Sequence, residues 1–222
     1  IGLHGGEYRS DPATTAVAVP IYQTTSYQFK NAETAANLFG LKEFGNIYSR
    51  LGNPTVGALE ARLTALEEGA MCVALSSGTS AVMYSLINIM SQGDNFVTAN
   101  QLYGGTYTMF DNILPEYGID SKKVDITDLA AVENAIDDKT RAIYCETITN
   151  PGLVVADISA LSEIAHSKGI PLIVDATFTT SAILKPFEYG ADIVVYSLTK
   201  WMSGHGRVIA GAVIEKGGFD WG

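Results

Sequence analysis

The sequence predicts an α/β fold built on a mainly parallel, doubly wound sheet. Two observations carry that expectation. Short apolar runs of strand length alternate with segments whose apolar residues recur every three or four positions. Glycine, hydroxyl and acidic residues gather just after the apolar runs, where a parallel sheet presents its carboxyl edge and binds ligands. The alternation implies βαβ units.

The 222 residues, 47% of them hydrophobic, suffice for one sizeable domain with an arm. Residues 1–50 read as the arm. Gly2, Gly5, Gly6, Pro12 and Pro20 punctuate it, and Gln23-Thr24-Thr25-Ser26 has no period. Such a segment buries little alone and is expected to pack on the main body or on a neighbouring chain. The domain proper is set at 51–222. It opens with a helix: Asn53 suits the N-cap, Pro54 the first turn and Gly69 the stop, with Val56, Leu59, Leu63 and Leu66 on one face. Strands are expected at Met71–Leu75, Asn95–Ala99, Ile119–Val124, Arg141–Cys145, Ile170–Val174 and Asp192–Tyr196. Helices are expected at Ser80–Met90, at Thr106–Leu114 ending before Pro115, at Asp128–Ile136 capped by Thr127, and at Ser159–Lys168 stopped by Gly169. The last strand, Val208–Ile214, follows too closely for a helical crossover and is expected to run antiparallel.

Composition excludes several classes. The net charge is −10 with no basic run, which argues against nucleic-acid binding. No apolar segment reaches the roughly 18 residues of a membrane helix. Cys72 and Cys145 each lie inside an apolar run, as buried free thiols of a cytoplasmic protein do. His4, His166 and His205 show no ligand spacing, so no metal is expected. No Gly-x-Gly-x-x-Gly follows any strand, which disfavours a nicotinamide-binding domain. The chain starts at Ile1 rather than Met, so its true N-terminus is expected to be missing, and Phe219-Asp220-Trp221-Gly222 marks no natural end.

The chemistry centres on Tyr196-Ser197-Leu198-Thr199-Lys200. A lysine delivered past a strand end is costly as a core residue but suits a Schiff-base carrier. Asp175 ends the preceding strand, one αβ connection earlier, where its carboxylate can keep a pyridine nitrogen protonated. That pair points to pyridoxal 5′-phosphate (PLP). Ser76-Ser77-Gly78-Thr79-Ser80 opens a helix whose N-terminus can bind an anion, or is an ordinary capped turn. Ser197 and Thr199 alternate onto one side, where they can join a phosphate site or simply face solvent. Tyr103, before Gly104-Gly105, can cover a planar ring or pack on its turn; Tyr48 and Arg50 can reach a phosphate on a neighbouring chain or be surface residues.

Taken together these segments resemble the Cys/Met-metabolism family of PLP enzymes. The resemblance rests on Tyr48-Ser49-Arg50, Asn53-Pro54-Thr55, Ser77-Gly78, Tyr103-Gly104-Gly105-Thr106-Tyr107, Asn150-Pro151, Asp175-Ala176-Thr177-Phe178, Ser197-Leu198-Thr199-Lys200 and Gly204-His205-Gly206, in that order. Pro20-Ile21-Tyr22-Gln23-Thr24-Thr25-Ser26, Glu146-Thr147-Ile148-Thr149-Asn150-Pro151 and Gly217-Gly218-Phe219-Asp220-Trp221 look most like its O-acetylhomoserine sulfhydrylase branch. Ala176 and Arg207 depart from the family pattern.

The resemblance implies the aspartate aminotransferase-like fold (fold type I), with a further C-terminal domain absent from this chain. It implies that Lys200 holds PLP as a Schiff base and moves protons, and that Asp175, with Thr177, pairs with the ring nitrogen. Tyr103 would stack on the ring and Asn150 lie near its hydroxyl. Ser77, Gly78, Thr79, Ser197 and Thr199 would hold the phosphate, joined by Tyr48 and Arg50 of the adjacent subunit, with Tyr103 or Tyr48 assisting proton transfer. The implied activity is γ-replacement on O-acetylhomoserine by a sulfur nucleophile, giving homocysteine and acetate in methionine biosynthesis, in a cytoplasmic homotetramer built as a dimer of dimers. Cystathionine γ-synthase, γ-lyase or β-lyase chemistry remains open, as does a non-catalytic PLP- or partner-binding fragment.

Overall fold

The computed structural model describes residues 1–3, 5, 6, 11 and 14–221; His4 and Pro12 lie outside them. Two compact units are present, Ile1–Ala65 and Leu66–Gly222. The division falls inside a helix, whereas the sequence reading set the arm's end at residue 50.

The first unit contains helix α1 (Ala32–Phe39), which the sequence reading did not foresee; Asn31 caps it by accepting from Thr34 N. Helix α2 (Pro54–Glu67) begins where expected. Asn53 Oδ1 accepts from Thr55 N, and Asn53 Nδ2 donates back to the Tyr22 carbonyl, so this cap also ties down the preceding chain. The apolar face of α2 is only partly covered: Leu63 is buried, Val56 and Leu59 are not.

The second unit follows the alternation of the sequence. Its elements are β1 (Met71–Leu75), α3 (Gly78–Ile87), β2 (Asn95–Ala99), α4 (Gly104–Thr108), β3 (Asp120–Val124), α5 (Leu129–Ala135) and β4 (Thr140–Glu146). Then come α6 (Ile158–Ser167), β5 (Leu172–Asp175), the short α7 (Thr180–Ile183), β6 (Ile193–Ser197) and β7 (Gly211–Glu215). The strands form one seven-stranded sheet in the order β1-β7-β6-β5-β4-β2-β3. β3, β2, β4, β5 and β6 are parallel, while β7 runs antiparallel to both neighbours. A strand buried on both faces reads as a continuous apolar run. Accordingly Leu172, Ile173, Val174, Val194 and Val195 are wholly shielded. Phe110 bridges Phe96 and Tyr144 edge-to-face, at centroid distances of 4.7 and 5.2 Å.

Four local expectations are corrected. The α2 exit turns at Glu68, with φ 60°, not at Gly69. Gly69 serves close approach instead: a Cβ there would lie 2.8 Å from Ile214 Cγ2 and 2.9 Å from the Glu215 carbonyl oxygen. Helix α5 is capped by Asp128, which accepts from Ala131 N, while the Thr127 hydroxyl donates to Asp125. The expected helix 106–114 starts earlier, at Gly104, and widens into a π turn over Met109–Ile113. Pro115 then sits in the first turn of a 3-10 segment, Leu114–Tyr117, where its missing N–H costs nothing. The last strand begins at Gly211, not Val208, though its antiparallel direction is as expected.

Candidate active site

β3, β2, β4, β5 and β6 are mutually parallel, and β1 and β6 both oppose β7, so six strands end at one edge. A cavity of about 660 Å³ opens there, built entirely within the second unit. Ser77, Gly78 and Thr79 after β1, Tyr103 after β2 and Asn150 after β4 line it. So do Asp175 and Thr177 at the end of β5, and Ser197, Thr199 and Lys200 at the end of β6. Sequence reasoning named all of these. Tyr48 and Arg50 belong to the first unit, where the Arg50 guanidinium lies 5.3 Å from the Tyr48 ring centroid.

Each position has a local cause. Ser77 caps α3, its hydroxyl accepting from Ser80 N at 3.0 Å. First-turn N–H groups have no acceptor within the helix, so those of Gly78 and Thr79 remain for an anion. Gly78 is pressed against the end of β6: a Cβ on it would run into Ser197 Cβ and lie 2.8 Å from Ser197 Cα. The hydroxyl of Thr177 accepts from Ser197 N at 2.7 Å, locking the ends of β5 and β6 together. Thr199 lines the cavity, but its hydroxyl is also engaged with Ala210, accepting from the amide at 3.0 Å and donating to the carbonyl at 3.2 Å. That threonine therefore also fixes where β7 begins.

Asp175 accepts from Thr177 N at 2.9 Å and from the Tyr144 hydroxyl at 3.3 Å. Burial raises its pKa despite these donors, and no ion pair to it is present among the described residues. A cationic N–H opposite it would relieve that penalty.

The sequence reading missed Glu146, Trp201 and Phe178 as lining residues. Glu146 ends β4 and stands in register beside Asp175. Burial first, and the neighbouring Asp175 with it, push its carboxyl up to about 7 against two backbone donors that lower it, Tyr103 N and Asn150 N. Its signal was present: a carboxylate directly after the apolar run that ends in Cys145, the same pattern that marked Asp175. Trp201 follows Lys200 and carried no such signal.

Comparison with known proteins agrees with this geometry. The model of the Cys/Met metabolism PLP-dependent enzymes matches residues 2–222. An O-acetyl-L-homoserine sulfhydrylase of Leptospira meyeri is 50% identical over 222 residues, 100% of this chain and 50% of that protein. The O-acetyl-L-homoserine sulfhydrylase 1 of Thermus thermophilus is 48% identical over 99% of this chain and 52% of its own length. The chain thus spans about half the length of these relatives. Among solved structures, one from Campylobacter jejuni described as an O-acetylhomoserine (thiol)-lyase, with a pyridoxyl-lysine monophosphate residue, superposes with a TM-score of 0.94 at 43% identity. The match covers 98% of this chain and 53% of that one. A cystathionine gamma-lyase of Lactobacillus plantarum gives a TM-score of 0.87 at 38% identity, over 97% of this chain and 54% of that one.

The fold is that of the PLP-dependent transferases of fold type I. With the family model matched over nearly its whole length, the chain belongs to the Cys/Met metabolism PLP-dependent enzymes.

The residues present fit that cofactor. The cavity offers an amine at Lys200, an acid without a cation at Asp175 and an exposed aromatic ring at Tyr103. A helix N-terminus meets hydroxyls where glycine lets Gly78 touch Ser197. These are the donors that an aldehyde, a ring nitrogen, a planar ring and a phosphate require.

Proposed function

We propose that this chain carries the cofactor half of a PLP-dependent enzyme that replaces the γ-acetoxy group of O-acetylhomoserine with a sulfur nucleophile, giving homocysteine and acetate. The observation that carries the reading is the convergence of Lys200 and Asp175 on one cavity beside the N-terminus of α3. The names of the Leptospira and Thermus relatives supply the substrate class.

The roles follow from position. Lys200 Nζ would hold the cofactor through its aldehyde carbon and, once free of it, would take the proton from Cα of the substrate and later return it. Asp175 keeps a proton on the ring nitrogen, because its buried carboxylate gains from a cationic partner. PLP, when bound, supplies the electron sink for the pair left at Cα. A second proton passes from Cβ to a base of the site, acetate departs from Cγ with its bonding pair, hydrosulfide bonds to Cγ through its sulfur, and protons are then restored at both Cβ and Cα to release homocysteine. Thr177, which holds Ser197 N and donates its own N–H to Asp175, keeps amine and acid in one frame. Tyr103 covers the ring and assists proton transfer, Asn150 lies by the ring hydroxyl, and Ser77, Gly78, Thr79, Ser197 and Thr199 take the phosphate.

Tyr48 and Arg50 are assigned to a neighbouring copy's phosphate, in a homotetramer assembled as a dimer of dimers. Support comes from the first unit, where Phe44 is 100% exposed and Ile21 84%. Arginine there suits bidentate phosphate binding. A cytoplasmic setting is supported by Cys72 and Cys145, both buried and neither in a disulfide among the described residues. No helix among the described residues is long and apolar enough to cross a membrane.

The test is Lys200→Ala in the whole protein. Acetate release from O-acetylhomoserine with sulfide and the visible band of bound cofactor should both vanish; a variant with full turnover overturns the reading. Wild-type protein that prefers cysteine as acceptor, or that breaks down cystathionine, would reassign the substrate within the family. Protein that binds PLP yet never releases acetate would be non-catalytic.

A further inference from the structure

Glu146 is a carboxylate spent on two backbone amides. Its Oε1 accepts from Tyr103 N at 2.7 Å and its Oε2 from Asn150 N at 3.0 Å. The side chain is only 6% exposed, and no ion pair to it exists among the described residues. Burying a carboxylate without a cation is expensive, so a merely filling role would be better met by an apolar or amide side chain.

The two amides belong to different loops. Tyr103 is the N-cap of α4, and its own N–H, which lies outside the helix's ladder, is taken up by a residue 43 positions away. Its ring folds over Gly105, where a Cβ would lie 2.7 Å from Cε1. Asn150 sits in a tight loop closed by Thr149 N to the Val154 carbonyl at 2.9 Å and Leu153 N to the Thr149 carbonyl at 2.8 Å. Both residues line the cavity. The two N–H donors meet different oxygens of the carboxyl; glutamine replaces one of those oxygens with an NH2 group, which donates and cannot accept.

We propose that Glu146 is a positioning residue that clamps the Tyr103 and Asn150 loops to each other and so sets the slot in which a planar cofactor lies. The slot's occupant rests on the proposed function; the clamp does not.

The test is Glu146→Gln in the whole protein, read by amide hydrogen exchange, by PLP titration and by circular dichroism of the bound cofactor. At least one of the Tyr103 and Asn150 amides should exchange about ten-fold faster. The PLP dissociation constant should rise about ten-fold and the visible dichroism of bound cofactor should change. Unchanged exchange at both amides overturns the clamp. Faster exchange with unaltered PLP affinity and dichroism reduces it to a structural cap and overturns the positioning role. If the variant does not fold, wild-type exchange decides: the Tyr103 and Asn150 amides should be about ten-fold slower than that of Gly104, a first-turn amide without an intrahelical acceptor. Equal rates overturn the inference. If wild-type protein fails to take up PLP at all, the proposed function falls while the exchange comparison still judges the clamp.

Discussion

The Tyr196 hydroxyl donates to Glu67 Oε1 at 2.5 Å, with both residues 1% exposed. The bond fastens the end of α2 to the strand that leads to Lys200. Burial raises the pKa of Glu67, and the tyrosine donor opposes that shift. Tyr196→Phe would take one of two hydroxyl partners, the other being Ser181, from the buried carboxyl and cost about 2 kcal/mol in urea unfolding. PLP affinity should stay within about three-fold, since Thr177 holds Ser197 N independently.

Gly78→Ala tests the contact between the first turn of α3 and the end of β6. The new Cβ would meet Ser197 backbone, which cannot swing away as a side chain would. The expected outcome is a stability loss of about 1–3 kcal/mol and PLP binding weakened more than about ten-fold. Thermal unfolding and an absorbance titration check both.

Asp175→Asn separates stability from function. Burial disfavours the charge on Asp175, so the amide should leave cofactor-free protein as stable or more stable at neutral pH. Turnover should fall about 100-fold or more, because the ring nitrogen loses its acid partner. Unfolding midpoints and steady-state rates on one preparation distinguish the two effects.

Stability of the cofactor-free protein should fall as pH rises from about 4.5 to about 7. Glu146 carries its proton up to about 7 when folded, against 4.5 ordinarily, so the folded state binds more protons across that window. The stabilisation is full below the ordinary value and lost as pH passes the folded one. Its size is on the order of 3 kcal/mol, and Glu67 and Asp175, also raised, act in the same direction. Urea midpoints at acidic and neutral pH should show the slope, and Glu146→Gln should flatten it.

Much of this was legible in the chain itself. Apolar runs located β1 and β2 to the residue, because turn-forming residues stand directly outside them: Gly69 and Ser76-Ser77 about β1, Gly93-Asp94 and Asn100 about β2. The cavity was legible because lysine, aspartate and glycine each occupy a position that packing alone would not choose. What escaped depended on partners distant in sequence. Glu68 rather than Gly69 turns left-handed, and the glycine at 69 answers instead to Ile214 and Glu215, which stand beside it from far along the chain. The widening of α4 into a π turn leaves no local mark. Glu146 was overlooked although it follows an apolar run as Asp175 does, since its role lies in amides contributed by other segments. Helix α1 was hidden by its short length in a segment of mixed composition.

β7 separates β1 from β6, and its first residue, Gly211, pairs with both Leu75 and Ser197. Above Gly211 the sheet has a gap one strand wide, and its missing side chain leaves room for the Ser77 carbonyl. Two stretches of chain far apart in sequence can therefore lean across that notch until Gly78 rests on Ser197. Had the seventh strand entered a residue sooner, it would have stood between them like a wedge, and the mouth of the pocket would have had two half-sites instead of one seat for an anion.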